Sequence, residues 1–92
     1  MILTWKHKGL KKFFDTGVKS GINPKHATRL KIILQLLNSA IDAKDLDLPG
    51  MGLHLLKGKY KGMHAVYVSG NWRVIFKFKD KDVIEVDYLD YH

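Results

Sequence analysis

At Leu48-Pro49-Gly50-Met51-Gly52 the apolar residues of this chain change period, and that change limits the folds open to it. Before it, Ala27, Leu30, Leu34, Leu37 and Ile41 recur at spacings of 3, 4, 3 and 4. That is the stripe of an amphipathic helix, broadened here by Ile32, Ile33 and Leu36. After it the period is two. LHLLK, MHAVYVS, NWRVIFKFK and DVIEVDYL read as four strands. Their connections at 58–62, 69–71 and 79–82 are short and polar, as hairpins require. Pro49 and the two glycines punctuate the switch. Helical pattern followed by consecutive strands specifies an α+β fold with an antiparallel sheet.

The first half adds the remaining elements. Residues 2–5 form a short apolar start, expected as an edge strand. Leu10, Phe13 and Phe14 fall at helical spacing, and Gly17 is placed to stop that helix. Asn23 is a good N-cap for the second helix, and Pro24 suits its first position. In the third sheet strand Trp72, Val74, Phe76 and Phe78 share one face, expected against the helices. Arg73, Ile75, Lys77 and Lys79 share the other, expected to be basic and partly open. The order is β-α-α-β-β-β-β, with two helices on one face of the sheet. Ninety-two residues allow one small domain, taken as 1–92. The absence of cysteine excludes disulfides, thiol catalysis and thiolate metal sites. No apolar run approaches the ~18 residues of a membrane span. The lysines near the start follow apolar residues, the wrong order for a secretory signal, so a cytoplasmic location is expected.

Charge is distributed unevenly. Residues 1–31 hold eight bases and one acid, Asp15, which accounts for the whole net charge of +7. Lys8, Lys11 and Lys12 recur at i, i+3 and i+4, a positive strip on the first helix. Between Asp47 and Asp80 there is no acid, yet Lys57, Lys59, Lys61, Arg73, Lys77 and Lys79 lie there. Two basic zones in one small domain point to a polyanionic partner.

No Walker loop, GxGxxG, HExxH or CxxC is present, and no pair among the His and Asp residues has metal-ligand spacing, so no cofactor or metal is expected. Cleavage of an RNA backbone by its own 2′-hydroxyl needs no cofactor. It needs a base for that hydroxyl, cations for the charged phosphorane and an acid for the leaving 5′-oxygen. Imidazole suits either proton role, with an unperturbed pKa of about 6.5. His54 and Lys57 come from one strand, Arg73 from another, and Asp90, Tyr91 and His92 follow the last. They would make the full set if the last strand brought them together. Each also has a plainer role available: strand residue, hairpin solubility charge or frayed end.

Four segments carry a resemblance: Lys6-His7-Lys8-Gly9-Leu10, Leu53-His54-Leu55-Leu56-Lys57-Gly58, Gly70-Asn71-Trp72-Arg73-Val74 and Asp90-Tyr91-His92. Together, in this order, they resemble the HigB-type toxins of the RelE/ParE superfamily, the plasmid maintenance system killer group. The resemblance implies two helices over an antiparallel sheet and an mRNA endonuclease that works in the ribosomal A site without metal. It implies a HigA-like helix-turn-helix antitoxin as partner, with operator DNA reached only through the toxin–antitoxin complex. It maps catalytic positions onto His54, Lys57, Asp90, Tyr91 and His92. RNA contacts are expected at Arg73, Asn71, Lys59, Lys6, Lys8, Lys11 and Lys12. The group often has proline after the central histidine, where this chain has Leu55. A ParE-like toxin that inhibits DNA gyrase and cuts nothing is the alternative within the same fold.

Overall fold

His7 starts the first helix, because its Nδ1 accepts the backbone N–H of Leu10 at 2.9 Å. The first N–H groups of a helix have no partner within it, so a cap of this kind is required. The structure, a computed structural model, describes residues 1–91. α1 runs Lys8–Thr16 and ends at Gly17, whose φ of 80° lies in the left-handed region. Its N–H returns to the Phe13 carbonyl at 2.8 Å, closing the last turn.

The second helix begins later than its sequence signals suggest. Asn23 caps as expected, its side chain accepting the Lys25 N–H at 3.0 Å. What it caps is a single 3-10 turn, Pro24–His26, and α2 follows as Ala27–Ser39. Ala27, Leu30, Leu34 and Leu37 are buried as the stripe predicts, and Ile33 joins them. Ile41 does not, because the backbone turns extended at Ala40 and leaves it exposed beyond the helix. Ile32 also points outward and is exposed.

The second half forms β1 (His54–Leu55), β2 (His64–Ser69), β3 (Trp72–Lys79) and β4 (Asp82–Asp90), antiparallel neighbours in that order. Residues 2–5 lie along the outer edge of β4, at the expected edge position. They run parallel to it and meet it only through isolated bridges, Ile2 with Val83 and Trp5 with Val86. The reason is a bulge in β4. Between the pairs Ile75–Asp87 and Lys77–Ile84, β4 takes three steps where β3 takes two. The extra residue bends the strand, and Glu85 adopts a φ of 56° to accommodate it. Thr4 Oγ1 accepts the Glu85 N–H at 2.8 Å, so the edge segment satisfies the donor that the bulge removes from the ladder.

Both helices cover one face of the sheet. Leu10, Leu30, Leu34 and Leu37 meet Val66, Val74, Phe76, Val83, Val86 and Tyr88 in the main core, with Trp72 and Phe78 against it. Trp72, Val74, Phe76 and Phe78 therefore face the helices, as their alternation predicts.

Two features of this packing can be measured. A Cβ on Gly9 would stand 2.6 Å from the carbonyl oxygen of Gly21, so α1 and the segment before α2 touch backbone to backbone. Glycine to alanine ordinarily stabilises a helix interior by about 1 kcal/mol. Here Gly9→Ala should instead destabilise the chain, by roughly 1–3 kcal/mol in urea unfolding. A more stable variant would contradict the close approach. His64, stacked on Phe76 with ring centroids 5.9 Å apart, has a pKa held below 6.5 by burial. As pH falls through 6.5 the unfolded chain takes up a proton that the folded chain refuses. Stability is complete above that value and declines below it. Thermal unfolding at about pH 7.5 and 5.5 should show this decline, and His64→Phe should lessen it.

Candidate active site

The face of the sheet turned away from the helices carries the candidate chemistry. Cross-strand register lines up His54, Ala65, Ile75 and Asp87 in one row and Tyr67, Arg73 and Leu89 in the next. The middle of this face is not open, contrary to the alternation in β3. The connection from β1 to β2 folds over it, with a one-turn 3-10 helix at Gly58–Tyr60. Leu56 and Met63 from that connection pack with Ala65 and Ile75 into a second small core. Tyr60, Leu89 and Tyr91 flank it. Ile75 is fully buried because this layer lies above it, and the basic residues are left at the margins.

Between that connection and the end of β4 lies a cleft of about 310 Å³, lined by Lys57, Lys59, Tyr60, Leu89, Asp90 and Tyr91. Four of the expected site residues thus share one concavity: Lys57, Lys59, Asp90 and Tyr91. The rings of Tyr60 and Tyr91 pack together in its lining with centroids 5.9 Å apart, and the Lys59 ammonium sits 5.4 Å from the Tyr60 ring centre. The Tyr91 N–H donates to the Asn71 carbonyl at 2.8 Å, which ties the end of the chain to the β2–β3 turn. Asn71 therefore reaches the site through its backbone. Tyr60 was not anticipated, since its only signal in the sequence is its place among the lysines of Lys59-Tyr60-Lys61. A larger groove of about 540 Å³ between the end of α1 and α2 holds none of the expected catalytic residues.

His54 is not among the residues that line the cleft. It lies on β1, at the opposite end of the strand order from β4, and is exposed. Its Nδ1 lies 2.9 Å from the Gly52 carbonyl oxygen. A carbonyl only accepts, so Nδ1 carries the hydrogen of that bond and Nε2 is left to exchange a proton with a ligand. Arg73 is anchored by its Nη1, which donates to the carbonyls of Gly70 at 2.8 Å and Trp72 at 2.9 Å. It is the register partner of Leu89, which lines the cleft, and its guanidinium lies 5.0 Å from the centre of the Tyr67 ring. His92 lies outside the described residues.

The remaining expected contacts belong to a different region. Lys8, Lys11 and Lys12 are exposed on α1, with Lys11 paired to Asp15 at 2.6 Å. Lys6 meets Glu85 at 3.3 Å, and Lys77 meets the same carboxylate at 2.6 Å. Lys77 first and Lys6 with it hold the Glu85 carboxyl below its usual range. Among the described residues no group of three or more His, Asp or Glu is placed to hold a metal ion. No helix among them is long and apolar enough to cross a membrane.

Comparison with known proteins agrees with this fold. Residues 3–92 match the family described as the RelE-like toxin of type II toxin–antitoxin system HigB. A curated relative, endoribonuclease HigB from Proteus vulgaris, is 38% identical over 92 residues, spanning all of both chains. Among solved structures, a histidine-to-glutamine variant of YafQ from E. coli superposes with a TM-score of 0.61 at 24% identity, covering 96% of this chain and 89% of that one. A copper-bound variant toxin from Helicobacter pylori gives 0.56 at 24% identity, covering 99% and 92%. These two structures establish the shared fold of two helices on an antiparallel sheet. With the family match spanning nearly the whole length, this chain belongs to the HigB-like, RelE-like toxins of type II toxin–antitoxin systems.

Proposed function

We propose that this toxin is an endoribonuclease that cuts mRNA in the ribosomal A site and so halts translation in the cytoplasm. The observation that carries the reading is the cleft in which Lys57 and Lys59 face Asp90 and Tyr91. It concentrates cations and proton-carrying groups on the side of the sheet that the helices leave uncovered. The endoribonuclease from Proteus, similar along its whole length, supports the same reaction class.

The reaction is a transesterification. A base takes the proton of the 2′-hydroxyl, and the 2′-oxygen attacks the adjacent phosphorus. The bond from phosphorus to the 5′-oxygen breaks, and an acid returns a proton to that oxygen. The products are a 2′,3′-cyclic phosphate and a free 5′-hydroxyl. His54 and His92 are the proton-transfer groups of this reading, with His54 acting through Nε2. Lys57 and Arg73 stabilise the phosphorane, whose extra negative charge develops only along the reaction path. Asp90 and Tyr91 orient the reacting groups. Membership of a type II family implies an antitoxin partner, here a helix-turn-helix protein of the HigA kind that also carries the complex to operator DNA. The strip at Lys8, Lys11 and Lys12 docks the toxin on ribosomal RNA, apart from the chemistry.

Purified protein added to ribosomes on a defined mRNA should cut at the codon in the A site while that site holds no tRNA. Chelator held below the magnesium that ribosomes need should leave the rate unchanged. A 2′-deoxy nucleotide at the cut site should abolish cleavage. Cleavage through that nucleotide, or a 5′-phosphate product, would exclude 2′-hydroxyl attack. Lys57→Ala and His92→Ala should each lower the single-turnover rate by about 10²- to 10³-fold, the scale of losing one preorganised stabilising group. If induction in cells produced DNA damage and filamentation before translation stopped, the gyrase reading would replace this one. Docking has its own signature. Replacing Lys8, Lys11 and Lys12 together by Ala should weaken ribosome binding. It should also flatten its salt dependence, by about 0.7 in log–log slope for each single-strand phosphate that the variant no longer neutralises.

A further inference from the structure

We propose that Tyr67, with Arg73 beside it, is a stacking subsite for the nucleotide next to the one seated in the cleft. The inference rests on the RNA-cleaving reading and extends its substrate site beyond the cleft.

Tyr67 lies on the open face of β2, is 40% exposed and belongs to neither core. The ring is part open to solvent, yet its hydroxyl and the backbone beneath it are both tied to neighbouring segments. Its hydroxyl accepts the Gly70 N–H at 3.1 Å. Its own backbone N–H donates to the Met51 carbonyl at 2.8 Å. Arg29 reaches across from α2, donating from Nε and Nη2 to the Tyr67 carbonyl at 3.1 and 2.9 Å, and from Nη2 to the Gly50 carbonyl at 2.7 Å. The guanidinium of Arg29 comes to 6.0 Å from the ring centre and that of Arg73 to 5.0 Å. A Cβ added to Gly52, whose φ is +59°, would stand 3.4 Å from the Tyr67 Cβ, so the loop runs close by. A surface aromatic fixed in this way has already lost the rotamer freedom that binding would otherwise remove.

Its position suits a polynucleotide. Tyr67, Arg73 and Leu89 share one cross-strand row, and Leu89 lines the cleft. Two strand spacings put the ring about 10 Å from that wall. Along β2, Tyr67 is two residues from Ala65, the partner of His54. The ring thus lies between His54 and the cleft wall. A flat ring beside a guanidinium offers a π surface for a base and a cation for its phosphate, the pairing by which single-stranded RNA is held. Single-stranded RNA is therefore the ligand class.

The test uses the full chain on ribosomes carrying mRNA with 2′-O-methyl groups at the cut site, so that binding is seen without chemistry. 2-Aminopurine replaces the base on either side of that site. Wild type should quench the probe at one of these positions. Tyr67→Leu should remove the quenching and weaken binding about 5- to 150-fold, the range for one base stacked on an aromatic side chain. Tyr67→Phe and Tyr67→Trp keep a ring and should retain both signals. On cleavable mRNA, Tyr67→Leu should raise KM and leave kcat near wild type. Undiminished quenching and affinity in Tyr67→Leu would overturn the proposal. So would a well-folded Tyr67→Trp that no longer binds, which keeps the test decisive if the leucine variant unfolds. Because the quenching needs no catalysis, a wild type that quenches but cuts nothing would sink the endonuclease reading and leave this subsite standing.

Discussion

The extra residue at Glu85 sets the phase of the last strand, and most of the molecule is arranged around it. An unbroken β4 would send Val83, Glu85 and Asp87 to one face. With the bulge, the helix-facing side chains are Val83, Val86 and Tyr88, all buried. Two carboxylates are thereby kept out of the main core, where an unpaired charge would be strongly unfavourable. Glu85 is turned instead toward Lys77 and Lys6. The same shift assigns Leu89 and Tyr91 to the opposite face, against the second core and the cleft. A change of register by one residue would exchange these sets and remove the site together with the core.

The second core explains how so small a sheet supports a site on its outer face. Leu56, Met63, Ala65 and Ile75 are few beside the residues of the helix-covered core. They nevertheless fix the β1–β2 connection, and with it Lys57, Lys59 and Tyr60. The cations sit on a loop whose apolar neighbours hold it down. A charged wall thus rests on an apolar floor.

Much of this was legible in the chain. The change of period at residues 48–52 marked the boundary between helices and sheet, because 3.6 and 2 are incompatible backbone periodicities. Gly17 and Asn23 marked helix ends, because the conformations and hydrogen bonds required there are local. The same local logic misjudged the start of α2, where Pro24 and Asn23 are equally at home in a 3-10 turn. It also included Ile41, since a repeat of apolar spacing does not reveal where the backbone leaves the helix. In β3 the alternation correctly sorted Trp72, Val74, Phe76 and Phe78 toward the helices. It left Ile75 on a face expected to be open, because nothing in a strand's own pattern says what a distant loop will cover.

The candidate site divides in the same way. The acid-free stretch and the Asp90-Tyr91 end were visible as residue types suited to phosphate chemistry. The meeting of Lys57, Lys59, Asp90 and Tyr91 in one cleft depends on the fold of the β1–β2 connection over the sheet. So does the placement of His54 on β1, outside the lining of that cleft. Tyr60, Tyr67 and Arg29 did not stand out, since their roles come from partners that only the fold brings near. The sequence by itself determined the element order, the helix-facing surface and the excess of positive charge, because periodicity, capping and charge are properties of neighbouring residues. The tertiary structure alone decided which polar groups share a cleft and which ring is held rigid beside it. Those depend on the phase of one bulged strand and on the meeting of segments far apart in the chain.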